Sequence, residues 1–137
     1  MNVRAFLDTN LIVYMYSETE ADKRDIAYKC LNGNDCVIST QSLNEASNVW
    51  TKKYKLPTNT IKRYLQNVEQ VCDEVITVQK HTVYMALDLK EKYGYSFFDC
   101  LMLASALESV CAIILSEDMG DGQIIENTLK IVNPFNQ

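Results

Sequence analysis

Five carboxylates in this chain matter for where they fall: Asp8, Glu45, Asp99, Asp118 and Asp121. Asp8 closes a short β-prone run, Val3 to Leu7, and is followed by the capping types Thr9 and Asn10. Glu45 comes three residues after Ser42 and Asp99 three after Ser96, the spacing of a capping box, with Asp replacing the usual Glu in the second. Asp118 and Asp121 lie in the turn-rich stretch after CAIIL, Cys111 to Leu115. Taken singly, each acid is as well explained by a helix cap or a turn. Taken jointly they are not, because like charges within about 4–6 Å raise one another's pKa and destabilise the fold unless something offsets them. No basic residue adjoins any of them in sequence; Arg4 is four positions before Asp8. A divalent cation is the simplest partner, and oxygen-only donors without His or Cys favour Mg²⁺ or Mn²⁺ over zinc.

Whether the acids meet depends on the elements that carry them. Ser96 to Leu107, SFFDCLMLASAL, is apolar on nearly every side after Asp99, the pattern of a buried helix. A carboxylate in its first turn must be protonated, hydrogen-bonded or paired. Val3–Leu7, Cys36–Thr40, Glu74–Val78, Cys111–Leu115 and Leu129–Val132 read as short strands. Between them, Leu11–Tyr16, Thr19–Leu31, a segment opening at Ser42 (Leu43, Ala46, Val49, Trp50, Tyr54), Thr60–Val71 and His81–Tyr93 carry helical spacing, with Gly94 as a C-cap. Asn32 to Asp35 reads as a turn. Strands alternating with helices predict one α/β domain over residues 1–137, three layers α/β/α around a parallel sheet. In such sheets functional groups gather beyond the carboxyl ends of the strands, where these acids fall.

Composition narrows the function. At 137 residues with 47% hydrophobic and 23% charged content, the chain can bury a single core and is not disordered over most of its length. The longest apolar run is too short for a bilayer, and the N-terminus turns polar by Asp8, too early for a secretory signal, so the cytoplasm is the expected compartment. Cys30, Cys36, Cys72, Cys100 and Cys111 form no C-x-x-C pair and read as small buried hydrophobes, and the lone His81 as a surface or cap residue. A net charge of −5 argues against gripping nucleic acid by bulk positive potential, but not against engaging phosphate through a bound cation.

With FLDTN at its start, SLNE at Ser42 to Glu45, and the string YSFFDCLMLASALESVCAIILSEDMGDGQIIENTLKIVNPF, the whole chain resembles a PIN-domain ribonuclease of the VapC toxin type. The resemblance implies an acidic metal site of Asp8, Glu45, Asp99 and Asp118, with Asp121 matching an acid found in only some members. It implies that Thr9 and Ser116 are hydroxyls orienting ligands or water beside that site. It further implies a sheet ordered 3-2-1-4-5, Mg²⁺ or Mn²⁺ as cofactor, endonucleolytic RNA cleavage leaving 5′-phosphate and 3′-hydroxyl ends, a homodimer, and a VapB-like antitoxin inserting a segment into the active-site groove.

Other classes remain open. A phosphoacceptor module would want paired acids after the first strand and a Lys after the last, where this chain has Thr9-Asn10 and Asn133-Pro134. A haloacid-type phosphatase would need an acid at position 10, occupied by Asn10. A catalytically silent PIN module used only for binding is the third. Trp50, Lys52, Lys53, Tyr54, Lys55, Lys62, Arg63 and Tyr64 mix basic and aromatic types as an RNA-binding surface would, and equally as solvated helix faces over an aromatic core would.

Overall fold

A computed structural model describes residues 2–136. In chain order the elements are β1 (Val3–Leu7), α1 (Thr9–Tyr14), α2 (Ala21–Gly33), β2 (Asn34–Ser39), α3 (Thr40–Lys52), α4 (Thr58–Val71), β3 (Glu74–Ile76), α5 (Lys80–Tyr93), α6 (Phe97–Glu108), β4 (Ile113–Leu115), β5 (Ile124–Ile125) and β6 (Leu129–Val132), with a 3₁₀ turn at Pro134–Asn136. The sheet order is β3-β2-β1-β4-β6-β5. Five strands are mutually parallel in the expected 3-2-1-4 order, and the anticipated fifth strand is β6. Beyond it lies an unanticipated two-residue antiparallel strand, β5, too short to carry any periodicity in sequence.

Alternation along β1 explains the layering. Phe6 faces a core shared with α5 and α6, while Ala5 and Leu7 face the opposite core, shared with α1, α3 and α4. A sheet covered on both faces needs the near-continuous apolar strands this chain has. Helix α6 is the buried helix expected: every residue from Cys100 to Ala106 is buried, Ser105 included. It runs from the carboxyl edge of the sheet back to the amino edge, where Arg4 Nε at the start of β1 donates to the Ser109 carbonyl at 2.7 Å. Asp99, in its first turn, is thereby returned to the carboxyl edge.

Some boundaries differ from expectation. α1 is six residues long and starts at Thr9 rather than Leu11, because Asp8 caps it by accepting from Thr9 N. β2 begins at Asn34, absorbing part of the expected turn. α3 opens at Thr40, and its capping box is Ser39 with Ser42, not Ser42 with Glu45. Glu45 is therefore released from capping. Gly94 does end α5, at φ 78°. Among the described residues no helix is long and apolar enough to cross a membrane. All five cysteines are free thiols, and burial pushes Cys36 and Cys72 up to about 12.

The C-terminus of α6 closes as a Schellman motif. Cys111 N donates to the Ala106 carbonyl at 3.0 Å and Val110 N to the Leu107 carbonyl at 3.1 Å. Glycine is usual at the left-handed position, yet here it is Val110, at φ 58° and 80% exposed. A β-branched side chain is strained there and contributes no packing. Val110→Gly is expected to stabilise the protein by about 0.5–1 kcal/mol, the relieved strain outweighing the entropy glycine adds to the unfolded chain. Urea unfolding of the two proteins measures it.

Candidate active site

Strand register sets the first contacts. Leu7 lies opposite Leu115, so the residues just past them, Asp8 and Ser116, emerge side by side. Asp8 N donates to the Leu115 carbonyl, and Ser116 Oγ donates to Asp8 Oδ2 at 2.8 Å. Asp8 Oδ1 accepts from Thr9 N at 2.7 Å. Asp8 is 5% exposed, and Thr9 and Ser116 are buried beside it.

The next two residues of α1 reach outward. Thr9 Oγ1 donates to Glu45 Oε1 at 3.2 Å, and Gln41 Nε2 holds the other oxygen, Oε2, at 3.1 Å. Asn10 Nδ2 donates to Asp118 Oδ2 at 2.6 Å. Ser96 Oγ accepts from Asp99 N at 3.2 Å, capping the first turn of α6, and the Ser96 side chain also stabilises the ionised Asp99 carboxylate. The cap takes up the backbone amide and leaves the Asp99 carboxylate in no ion pair among the described residues.

Electrostatics shows the convergence. Burial, opposed by the hydrogen bonds from Ser116 and Thr9 and reinforced by the charges of Asp99 and Glu45, raises Asp8 to about 6. Glu45 is raised by burial, against its Gln41 and Thr9 bonds, and by the charge of Asp99. Asp99 is raised by burial, against its Ser96 bond, and by the charge of Asp118. Four acids from separate parts of the chain thus sense one another at one edge of the sheet. Among the described residues, none of the ion pairs involves any of the four. Nor are three of them drawn tightly enough together to make a closed ligand cage. The donor set is oxygen-only, concentrated and uncompensated, which fits a hard dication.

The remaining sequence candidates separate. Asp121 Oδ1 accepts from the Asn133 backbone amide at 2.9 Å, tying its turn to the end of β6. Glu117, next to Asp118, is held by Lys23 Nζ at 2.6 Å and Tyr14 OH at 2.6 Å, and these bonds lower its pKa despite partial burial. Lys23 is thus engaged with a carboxylate outside the four. Trp50, at 2% exposure, belongs to an aromatic cluster with Tyr16 and Tyr64, while Lys52, Lys53, Tyr54, Lys55, Lys62 and Arg63 are exposed. His81 is on the surface, paired with Glu108 at 2.6 Å. The sequence alone assigns no partner role to Asn10, Tyr14, Gln41 or Lys23. Of these, only Asn10 carried a signal, its place next to Asp8 and Thr9.

A family model described as PIN domain matches residues 5–120. No curated protein matches the chain. Among solved structures the chain is similar to a toxin–antitoxin complex from Klebsiella pneumoniae, with 20% identity and a TM-score of 0.71 over 95% of this chain and 97% of that one. It is similar to Mycobacterium tuberculosis VapC20, a toxin described as cleaving the sarcin–ricin loop, with 15% identity and a TM-score of 0.68 over 83% of this chain and 89% of that one. It is also similar to Rickettsia felis VapBC2 bound to a promoter DNA fragment, with 18% identity and a TM-score of 0.67 over 95% and 99% of the two chains. At these identities the likeness is one of fold.

A pH dependence follows from Asp8. Its pKa rises on folding from 3.8 to about 6, so the folded protein binds this proton more tightly than the unfolded chain does. The Asp8 contribution is therefore most favourable below about pH 4, is lost as pH rises toward 6, and is level above that. At about 1.4 kcal/mol per pH unit, ionising Asp8 costs roughly 3 kcal/mol. With chelator present, Asp8→Asn is expected to be more stable than the parent by up to about 3 kcal/mol at pH 7, the advantage fading toward pH 4. Urea unfolding of both proteins across that range tests it; a gap independent of pH contradicts it.

Proposed function

The chain belongs to the PIN domain family, and on that premise we propose that it is a Mg²⁺- or Mn²⁺-dependent endoribonuclease, the toxin half of a toxin–antitoxin pair. The observation that carries this is the gathering of Asp8, Glu45, Asp99 and Asp118 at one sheet edge, in no ion pair among the described residues. Asp8, Asp99 and Asp118 are the residues to hold the ion, with Glu45 direct or through water. A bound dication supplies an acidified water and neutralises charge on the phosphoryl oxygens during in-line attack on a scissile phosphate.

The chain's own residues prepare that environment. Ser116 and the Thr9 amide fix Asp8, and the Thr9 hydroxyl and Gln41 fix Glu45, so both carboxylates keep their orientation with lone pairs to spare. Asp121, with one oxygen on the Asn133 amide, is left with a lesser role as ligand. RNA as substrate, a VapB-like antitoxin as partner, a homodimer, a cytoplasmic location and one domain over residues 1–137 complete the reading. Support for the antitoxin comes from the complexes the fold resembles.

Incubation of the purified protein with end-labelled RNA is expected to give metal-dependent cuts that EDTA abolishes. Asp99→Asn should slow cleavage at least about a hundredfold, since the ion's contribution to the transition state is several kcal/mol and each 1.4 kcal/mol is a factor of ten. Its circular dichroism spectrum should match the parent's. An Asp99→Asn protein that cuts RNA as fast as the parent overturns the assignment.

A further inference from the structure

Three hydrogen bonds and the first turn of α1 close a ring. Asp8 Oδ2 accepts from Ser116 Oγ at 2.8 Å, and the same Ser116 oxygen accepts from Asp118 N at 3.2 Å. Asp118 Oδ2 in turn accepts from Asn10 Nδ2 at 2.6 Å. Asn10 is two residues from Asp8 along the first turn of α1. Ser116 therefore fixes the Asp118 backbone and Asn10 fixes its carboxylate. The two anchors differ in kind from what they hold: Ser116 is fully buried and Asn10 sits on a helix, whereas Asp118 is exposed in the loop between β4 and β5.

Given the metal-dependent reading of this edge, we propose that Asn10 is a positioning residue that aims the Asp118 carboxylate into the acid cluster. Without it, the Asp118 carboxylate has no other hydrogen bond among the described residues to choose one rotamer over another. The residue type suits the task. A lysine at position 10 would orient Asp118 but cancel its charge and compete with a dication. An aspartate would place a carboxylate against a carboxylate at hydrogen-bond distance. An amide donates a bond and leaves the negative charge of the cluster intact. Outer contacts of this sort fix the direction of metal-binding carboxylates, and losing one typically weakens binding by about ten- to a hundredfold.

Calorimetric titration of the full chain with Mn²⁺ tests this without reference to catalysis. Asn10→Ala is expected to bind Mn²⁺ about tenfold more weakly than the parent, with unchanged circular dichroism and an unchanged melting midpoint in EDTA. Because Asn10 acts through Asp118, adding Asn10→Ala to Asp118→Asn should weaken binding no further than Asp118→Asn alone. Unchanged affinity in Asn10→Ala, or losses that multiply in the double variant, overturns the proposal while a parent that binds Mn²⁺ keeps the nuclease reading standing. A parent that takes up no Mn²⁺ brings down that reading and the role of Asn10 together.

Discussion

The interaction on which this molecule turns is repulsion. Asp8 is held almost out of solvent at the end of the central strand, within range of two other carboxylates and, among the described residues, in no ion pair. An ionised group there is unfavourable unless hydrogen bonds or a counter-charge compensate, and two hydrogen bonds do so only in part. The rest of the fold supports this arrangement. A sheet buried on both faces supplies the rigidity, α6 returns a second acid to the same edge, and α3 sets a third beside α1.

The same few residues therefore serve as scaffold and as site. Asp8 caps α1 through Thr9 N and braces the β1–β4 seam through Ser116. Asp99 occupies a first-turn position that favours negative charge, yet its carboxylate is not consumed by the cap, because Ser96 meets the backbone donor. Glu117 shows the opposite outcome one residue from Asp118: Lys23 and Tyr14 engage it, and its charge is held locally. Adjacent carboxylates thus differ in availability because of what surrounds each one.

How much of this was legible in the sequence depended on distance along the chain. The buried helix from Ser96, the parallel strands and the gathering of acids were readable because each rests on local pattern plus the handedness of α/β connections. The stretch STQSLNE contains two overlapping capping boxes, Ser39/Ser42 and Ser42/Glu45, and spacing alone does not rank them. The ladder of β2 running to Ser39 decides for the first. β5 is two residues long and exists only because β6 offers it an edge. The Asn10–Asp118 and Lys23–Glu117 contacts span about a hundred residues and follow from strand register, which no local window contains.

Sheet length has a bearing on how this protein meets others. The two rims are β3, with three residues, and β5, with two. A visiting peptide laid along either would find main-chain partners for scarcely one turn of a ladder, far short of what strand addition requires. Fibrillar stacking and swapped strands are disfavoured for the same geometric reason. Recognition of any macromolecule is left to side chains on helices and loops, surfaces that can diverge in sequence while the β-scaffold beneath stays as it is.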